Sequence, residues 1–204
     1  MHVSPADRVR VCDAIRAAES AAAGEFVCVL TRSASDYRAY PLAWAALGSL
    51  ATPWILLEIT TWSFETLLLA QLLVFAVLLP ALSWLPVRRY LVPRAVQRAA
   101  AHRAAAEQFL IRGLAHTPHR RGILLFVAEE EHYARVLADE GVASVVPGQH
   151  WADAVGDMVA QSRAGRHADG FIAALNRCAA VLREQFPAEA PGRKVLPDRF
   201  YVID

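Results

Sequence analysis

The chain has 204 residues, of which 55% are hydrophobic, and its formal net charge is +1. A typical globular protein has about 45–50% apolar residues, and here the excess lies between Pro41 and Val87. The near-neutral charge excludes a general basic field that would attract nucleic acid, so we expect no nucleic-acid partner. The three cysteines lie in apolar stretches without metal-ligand spacing, which predicts reduced core thiols in a domain facing the cytoplasm.

A helix and a strand are the first elements along the chain. Ser4, Pro5 and Asp7 supply an N-cap, a proline at the first helical position and an acid in the first turn, which together predict a helix start. Apolar residues then recur at helical spacing as far as Gly24. The run at 25–30, EFVCVL, is typical of a buried strand.

Two uncharged apolar runs follow, at residues 41–57 and 66–87. A helix needs about 20 apolar residues to cross the roughly 30 Å hydrocarbon core of a bilayer. The second run meets this length, and the first does so if it continues to about residue 61. Because only a short loop separates the runs, the sequence predicts two antiparallel transmembrane helices, at about 41–61 and 66–87. A hairpin buried in a soluble core is disfavoured, since so short a chain can hardly cover two helices that are apolar all round.

The charges around this hairpin predict its orientation. The loop between the runs has Glu58 and Glu65 and no basic residue, whereas arginines flank both outer ends. Basic residues concentrate on the cytoplasmic side of a membrane. We therefore expect a multi-pass protein of the bacterial inner membrane with both termini in the cytoplasm. Residues 1–38 and 90–204 would form one discontinuous cytoplasmic domain, interrupted by the membrane hairpin at 39–89 and held at both ends close to the headgroups.

The segment after the hairpin is predicted to contain three helices, two strands and a short edge strand. A first helix is predicted over 93–113, with its inward face formed by Ala95, Ala99, Ala106, Phe109 and Leu110. Two strands are predicted over 122–128 and 132–138, joined by a polar tip, and two helices follow over about 149–163 and 168–186. The last residues, 199–203, are typical of a short edge strand.

The order of these elements predicts the fold class. A strand, a helical crossover and another strand imply a parallel pair with a right-handed connection. The short tip between the next two strands implies an antiparallel pair. We therefore predict an α/β fold with a small mixed sheet flanked by helices, into which a two-helix transmembrane hairpin is inserted.

Four segments, taken in order, resemble the TPM domain of bacterial membrane proteins and thylakoid-lumen proteins. They are the helix leading to Gly24-Glu25 with the strand FVCVL, Phe109 before RGILLFV at 121–127, the strand at 133–138 leading to Asp139-Glu140-Gly141, and GRHADG at 165–170. The resemblance covers about residues 6–36 and 95–186. The hairpin after the first strand resembles a bacterial branch of the family in which the domain is interrupted in the same way. It implies calcium binding through acidic residues, which some members show, and the phosphatase activity and photosystem repair to which plant members are linked.

Acidic residues supply a candidate metal site. Asp139 and Glu140 follow a strand and precede a glycine, and oxygen ligands on such a turn suit Ca²⁺ or Mg²⁺. Asp36 and Asp169 are the further candidate ligands. The alternative is that Asp169 caps the last helix and that the other acids are solvated loop residues. The run 129–131, EEE, is interpreted as a solvated hairpin tip.

Basic residues supply a candidate site for an anion or a lipid headgroup. His119, Arg120 and Arg121 precede the second strand, and Arg88 and Arg89 follow the hairpin. Such residues bind phosphate or anionic headgroups, and the alternative is an ordinary charged loop. The spacing of the histidines before this strand does not match a zinc pattern.

Two functions are compatible with these residues. In the first, the chain is a membrane-anchored interaction module whose partners are the lipid bilayer and other membrane proteins, which it helps to assemble or to quality-control. In the second, it is a divalent-metal-dependent phosphatase, in which Asp139, Glu140 and Asp169 hold the ion and Arg120 or Arg121 meets the phosphate. None of the common catalytic motifs appears in the sequence.

Overall fold

The computed structural model describes residues 3–84, 91–187 and 200–203. The chain divides into two units. Met1–Ala34 and Arg98–Asp204 together form the first, called here the α/β unit. Ser35–Gln97 forms the second, called here the hairpin unit.

The α/β unit contains a four-stranded mixed sheet. Its strands are β1 (Glu25–Thr31), β2 (Gly122–Ala128), β3 (Tyr133–Ala138) and β4 (Phe200–Ile203), in the order β3-β2-β1-β4. Strand β1 is parallel to both of its neighbours, whereas β2 and β3 are antiparallel. The predicted small mixed sheet is confirmed, with β4 at the edge beside β1.

The helices in chain order are α1 (Pro5–Ala21), α2 (Ala39–Ile59), α3 (Phe64–Ser83), α4 (Arg94–Ile111), the single turn α5 (Glu140–Ala143), α6 (Gly148–Arg163) and α7 (His167–Gln185). Two 3₁₀ turns, Leu114–His116 and Pro118–Arg120, lie between α4 and β2. The start of α1 is as the sequence predicts, because the Ser4 hydroxyl accepts a hydrogen bond of 3.1 Å from the backbone N–H of Asp7.

Both faces of the sheet are covered, which explains why the residues of β2 are buried throughout. Alternate residues of a strand point to opposite faces. On one face, Phe26, Cys28 and Leu125 join a core formed with α1, α6 and α7. On the other face, Val27 and Phe126 join a smaller cluster with α4.

The face that α4 turns inward differs from the predicted one. Its buried residues are Ala100, Ala101 and Ala105, whereas the predicted Ala95, Ala99, Ala106 and Leu110 are exposed. Only Phe109 of the predicted set packs against the core, and it is half-buried. Alanines occur on every side of this helix, so the apolar pattern did not specify which side faces the sheet.

The hairpin unit contains two helices, α2 and α3, that are long and apolar enough to cross a membrane. Their 18-residue apolar windows are only 11% and 6% buried, so they are not core helices of this structure. Each contains one proline, at 53 and 80. Both helices begin and end a few residues before the predicted limits, and the predicted end at 85–87 lies outside the described residues.

Candidate functional site

The turn that precedes β2 has an unusual backbone. His119 and Arg120 have φ angles of 60° and 54°, in the left-handed region that non-glycine residues seldom adopt. Such conformations cost free energy and persist where the surrounding structure holds them. Both side chains are exposed, so the strain lies in the backbone of a surface turn.

Gly141 is the residue that allows this turn to lie against α5. A Cβ atom at this position would come within 2.6 Å of the carbonyl oxygen of Arg120, and closer still to that of His119. These atoms are backbone and cannot rotate away as a side chain would. The contact brings together two segments that the sequence treats as separate candidate sites.

Asp139 lies at the centre of this junction and is 6% exposed. One carboxylate oxygen, Oδ1, accepts a 2.7 Å hydrogen bond from the backbone N–H of Glu140 and so caps α5. The same oxygen accepts bonds of 3.3 Å from Nε and Nη2 of Arg120. Arg120 also lies 3.6 Å from the carboxylate of Glu140, which is exposed. Asp139 is therefore a buried cap with an arginine partner, and the solvated-loop alternative is wrong for it.

Two arginines of the predicted anion site contact other groups of the protein. Arg120 contacts the two carboxylates just described, and the Arg121 guanidinium lies 4.3 Å from the ring centroid of Phe186, within cation–π range. His119 is exposed beside them. Arg88 and Arg89 lie outside the described residues. The structure thus brings Arg120 to the acidic residues rather than leaving it free for an external anion.

Asp169 lies in the first turn of α7 rather than at its N-cap, which is Arg166. Its Oδ1 accepts a 2.6 Å hydrogen bond from Nη2 of Arg10, and its Oδ2 lies 3.9 Å from Nε of Arg166. The hydrogen bond to Asp169 is the largest of the effects that raise the pKa of Arg10. These residues line a small open hollow with Asp7 and His167. Its cationic and acidic groups are already paired with one another.

The predicted metal ligands do not form one group. Asp36 is exposed in the hairpin unit, where its carboxylate lies 3.2 Å from Nε of Arg38. Asp139 and Glu140 share Arg120, whereas Asp169 is paired with Arg10. Among residues 3–84, 91–187 and 200–203, no group of three or more histidine, cysteine or acidic side chains is placed to hold a metal ion.

The acidic tip between β2 and β3 is more structured than predicted. Oε1 of Glu131, which is 9% exposed, accepts hydrogen bonds from the Ser33 hydroxyl at 3.1 Å and from the Ala34 backbone N–H at 2.9 Å. Glu130 lies 3.2 Å from Nε of Arg32, and Glu129 lies 3.7 Å from Nε2 of His167. The three acids thus have three separate sets of partners. The prediction of a solvated tip is wrong for Glu131, which binds the segment that follows β1.

All three cysteines are free, as predicted. Burial is the main cause that raises the pKa of Cys28 well above its usual value, and burial raises the pKa of Cys178 to about 12. Both thiols are therefore protonated and poorly nucleophilic at neutral pH. They are core groups and offer no nucleophile to a candidate site.

Comparisons with known proteins test the predicted family resemblance. Residues 89–181 match a family model named TPM_phosphatase and described as the TPM domain. The matched part of the chain is similar to the TPM domain. The resemblance that the sequence predicts is thus confirmed, and the matched region contains the junction of Arg120, Asp139 and Gly141. A search of curated proteins finds no match to the chain.

A solved structure has the same fold as this chain. It is the NMR structure of the BA42 protein from the psychrophilic bacterium Bizionia argentinensis, with a TM-score of 0.63 and 15% sequence identity. The match covers 99% of this chain and 96% of that one. At this identity the similarity concerns the fold.

The sequence named most residues of the junction, but it did not predict that Arg120 and Asp139 are bonded directly to each other. Arg120 and Asp139 are 19 positions apart and were assigned to an anion site and a metal site. One signal was available: Gly141 follows two acids, and a glycine next to a polar cluster often marks a close backbone approach. No comparable signal marked Glu131, because three consecutive glutamates do not show which of them is buried.

Proposed function

We propose that this chain is a membrane-anchored interaction module of the bacterial inner membrane that assists the assembly or quality control of other membrane proteins. The observation that carries the proposal is the exposed apolar hairpin, α2 and α3, inserted between β1 and β2. A protein in water rarely exposes so large an apolar surface. Hydrocarbon is the solvent in which such a surface is stable.

The placement of tryptophans supports a membrane environment for the hairpin. Trp84 follows the end of α3, and Trp62 lies in the connection between the two helices. They are 72% and 52% exposed. The helix between them has 20 residues, or about 30 Å at 1.5 Å per residue, which matches the hydrocarbon thickness of a bilayer. Tryptophan favours the two interfaces of a membrane.

The orientation that we propose places both termini and the α/β unit in the cytoplasm. The connection at 60–63 has no basic residue, and Glu58 and Glu65 flank it. Arg32 and Arg38 precede α2, and Arg94 and Arg98 follow α3. This asymmetry supports a cytoplasmic location of the arginine-rich flanks.

The pairing of the charged groups with one another favours an interaction role over catalysis. The acids of the junction and of the α7 turn are paired with arginines in the α/β unit. A surface for partners is available at the end of α4, where Leu110 and Ile111 are 62% and 69% exposed. We infer that these two adjacent apolar side chains contact a partner protein.

Topology is the first test of this proposal. A reporter protein that is active only in the cytoplasm is expected to be active when it is fused after Asp204. A cysteine introduced at Thr61 is expected to react with a membrane-impermeant reagent added to the periplasmic side. Labelling of that cysteine only after cell lysis would overturn the orientation. Release of the chain by alkaline carbonate would overturn membrane insertion itself.

Partner capture is the second test. The detergent-solubilised chain is expected to co-purify with other membrane proteins, and the double variant Leu110→Ser with Ile111→Ser is expected to lose them. Val9→Ser is the matched control, because Val9 is 59% exposed on α1, and it should retain them. Purification of the wild-type chain without partners, together with phosphoester hydrolysis that needs Mg²⁺ or Ca²⁺ and is lost in Asp139→Asn, would favour the phosphatase alternative.

A further inference from the structure

The part of the chain that follows α3 is rich in arginine and lacks acidic residues. Residues 66–106 contain no aspartate or glutamate, whereas five arginines fall within residues 88–103. Three of these arginines lie on α4, at Arg94, Arg98 and Arg103. The helix begins ten residues after Trp84, which follows the end of α3. The chain therefore returns from the proposed membrane span directly into a positively charged helix.

The three arginines of α4 are exposed and have no carboxylate partner. Each of them is exposed, and none forms an ion pair or a hydrogen bond through its side chain within the part of the chain that the structure describes. Arg10 of α1, by contrast, lies 2.6 Å from the carboxylate of Asp169. The acid of α4, Glu107, comes after the last of the three arginines. The described protein groups thus leave the positive charge of this surface unpaired.

The helical period places these charges beside an apolar stripe on the outer side of α4. At 3.6 residues per turn, the exposed Ala95, Ala99 and Ala106 fall on one side, opposite to the buried residues of the helix. Arg98 and Arg103 lie at the two edges of that side. The opposite side packs on the sheet. Because alanine side chains are short, the outer side can lie close along a flat surface while the long arginines reach it from either edge.

We propose that this outer side of α4 docks on anionic lipid headgroups of the membrane that the hairpin spans. The inference rests on the proposed function, because it requires the hairpin to be inserted in a bilayer. Arginines that cluster just cytoplasmic of a membrane helix are attracted to anionic lipids, and each favours the surface by about fivefold. A guanidinium group also suits a headgroup phosphate, to which it can donate two parallel hydrogen bonds.

An anionic membrane fits this surface better than an acidic protein does. The positive charge is continuous along the chain from the proposed span to α4, since Arg88 and Arg89 lie between them. Insertion of the hairpin also keeps lipid headgroups at a high local concentration beside this segment. The protein contact proposed above uses Leu110 and Ile111 at the other end of α4. The docked helix would form a layer between the sheet and the lipid.

The test measures how close α4 lies to the headgroups in the full chain. A fluorophore is attached to Ala99→Cys in a Cys12→Ala background, in which the remaining native thiols, Cys28 and Cys178, are buried. The chain is inserted into phosphatidylethanolamine–phosphatidylglycerol vesicles in which both leaflets contain a trace of lipid with a nitroxide headgroup, a short-range quencher. We expect strong quenching. It should weaken at high salt, which screens exposed charges, and in vesicles of phosphatidylcholine alone.

A label on the far side of the sheet supplies the background signal. Val9→Cys lies on α1, which packs on the sheet face opposite to α4, and Val9 is 59% exposed. The fluorophore at this position should be quenched little in either type of vesicle. Equal quenching at the two positions, or quenching at Ala99→Cys that does not depend on phosphatidylglycerol, would overturn the inference.

Glutamine substitutions isolate the contribution of the arginines. The triple variant Arg94→Gln, Arg98→Gln and Arg103→Gln should shift the docking equilibrium about 100-fold toward the undocked state, at about fivefold for each charge. The matched control removes the same charge from exposed arginines of other helices that also lack an ion pair within the described residues, through Arg8→Gln, Arg163→Gln and Arg183→Gln. The control should keep the quenching of the wild type, and equal losses in both triple variants would contradict a role of α4.

Carbonate extraction of the same vesicles separates a failure of docking from a failure of the proposed function. A chain that resists extraction but shows no quenching at Ala99→Cys contradicts only the docking of α4. A chain that is extracted contradicts the membrane span as well.

Discussion

Leu175 in α7 is fully buried, whereas Leu73 in α3 is 68% exposed. The same contrast holds between the α/β unit and the hairpin unit as a whole. The first covers its sheet with helices on both faces, and the second leaves most of its leucines and tryptophans uncovered. The difference shows that the α/β unit contains its own apolar environment, and that the hairpin unit is suited to one supplied by lipid.

The largest effect expected from this contrast comes from truncating one leucine in each unit. Leu175→Ala should destabilise the α/β unit by about 2–5 kcal/mol, because it removes buried methyl groups and leaves a cavity. Leu73→Ala should change that stability by less than about 0.5 kcal/mol, as is usual for exposed sites. Amide hydrogen exchange of the full chain in detergent, followed in peptides covering β2, measures both. Equal losses of protection would contradict the contrast.

Substitution of one glycine in each unit compares how closely the surrounding atoms approach the backbone. Gly141→Ala would place a Cβ against backbone carbonyls that cannot move, and should destabilise the α/β unit by about 1–3 kcal/mol. Gly48→Ala in the hairpin unit would meet only the end of the flexible Leu78 side chain. We expect it to be tolerated, since that side chain can change rotamer. Hydrogen exchange in peptides covering β2 and α3 reports the two variants separately, and a larger effect at Gly48 would refute the argument.

A pair of glutamates compares a buried acid of the α/β unit with an exposed acid of the hairpin unit. Glu131→Ala should cost about 1–2 kcal/mol, because it leaves the Ala34 N–H and the Ser33 hydroxyl without their acceptor. Glu58→Ala, at the exposed end of α2, should cost less than about 0.5 kcal/mol. Thermal unfolding of the two variants in the same detergent, with circular dichroism as the readout, checks the order.

The smallest effect expected is a dependence of stability on alkaline pH that comes from the α/β unit. Cys28 and Cys178 have raised pKa values in the folded chain, with burial as the main cause. Below the unfolded-state pKa of about 8.5 both states are protonated, so pH has no effect through these groups. Above it only the unfolded state loses protons, so stability falls as pH rises toward the folded pKa, by at most about 1.4 kcal/mol per pH unit for each thiol.

The measurement is the melting temperature between pH 8 and pH 10 for the wild type and for Cys178→Ala. The variant should lose stability less steeply with pH, whatever its absolute melting temperature. A variant with a slope as steep as that of the wild type would show that other groups dominate. Leu175→Ala, which removes a buried side chain without a titrating group, serves as the control with an unchanged slope.

Local sequence determined the identity and order of most elements of this protein. The cap at Ser4, the helical spacing of apolar residues, the short apolar runs of the strands and the length of the two long apolar runs are properties of contiguous segments. They are governed by backbone hydrogen bonding and by the periods of 3.6 and 2 residues. Chain order then favoured a parallel β1–β2 pair and an antiparallel β2–β3 pair, and the resemblance to the TPM domain followed from the same segments.

Only the tertiary structure decided which residues from distant segments meet. The inward face of α4 could not be read from a helix with alanines on every side, because burying a methyl group on one face or another differs little in free energy. Arg120 precedes β2 and Asp139 follows β3, so their contact depends on the pairing of the two strands and on the left-handed turn at 119–120. The burial of Glu131 depends on the segment after β1. Such pairings depend on the packing of the whole unit, since charged groups leave water only where partners from other elements are already in place.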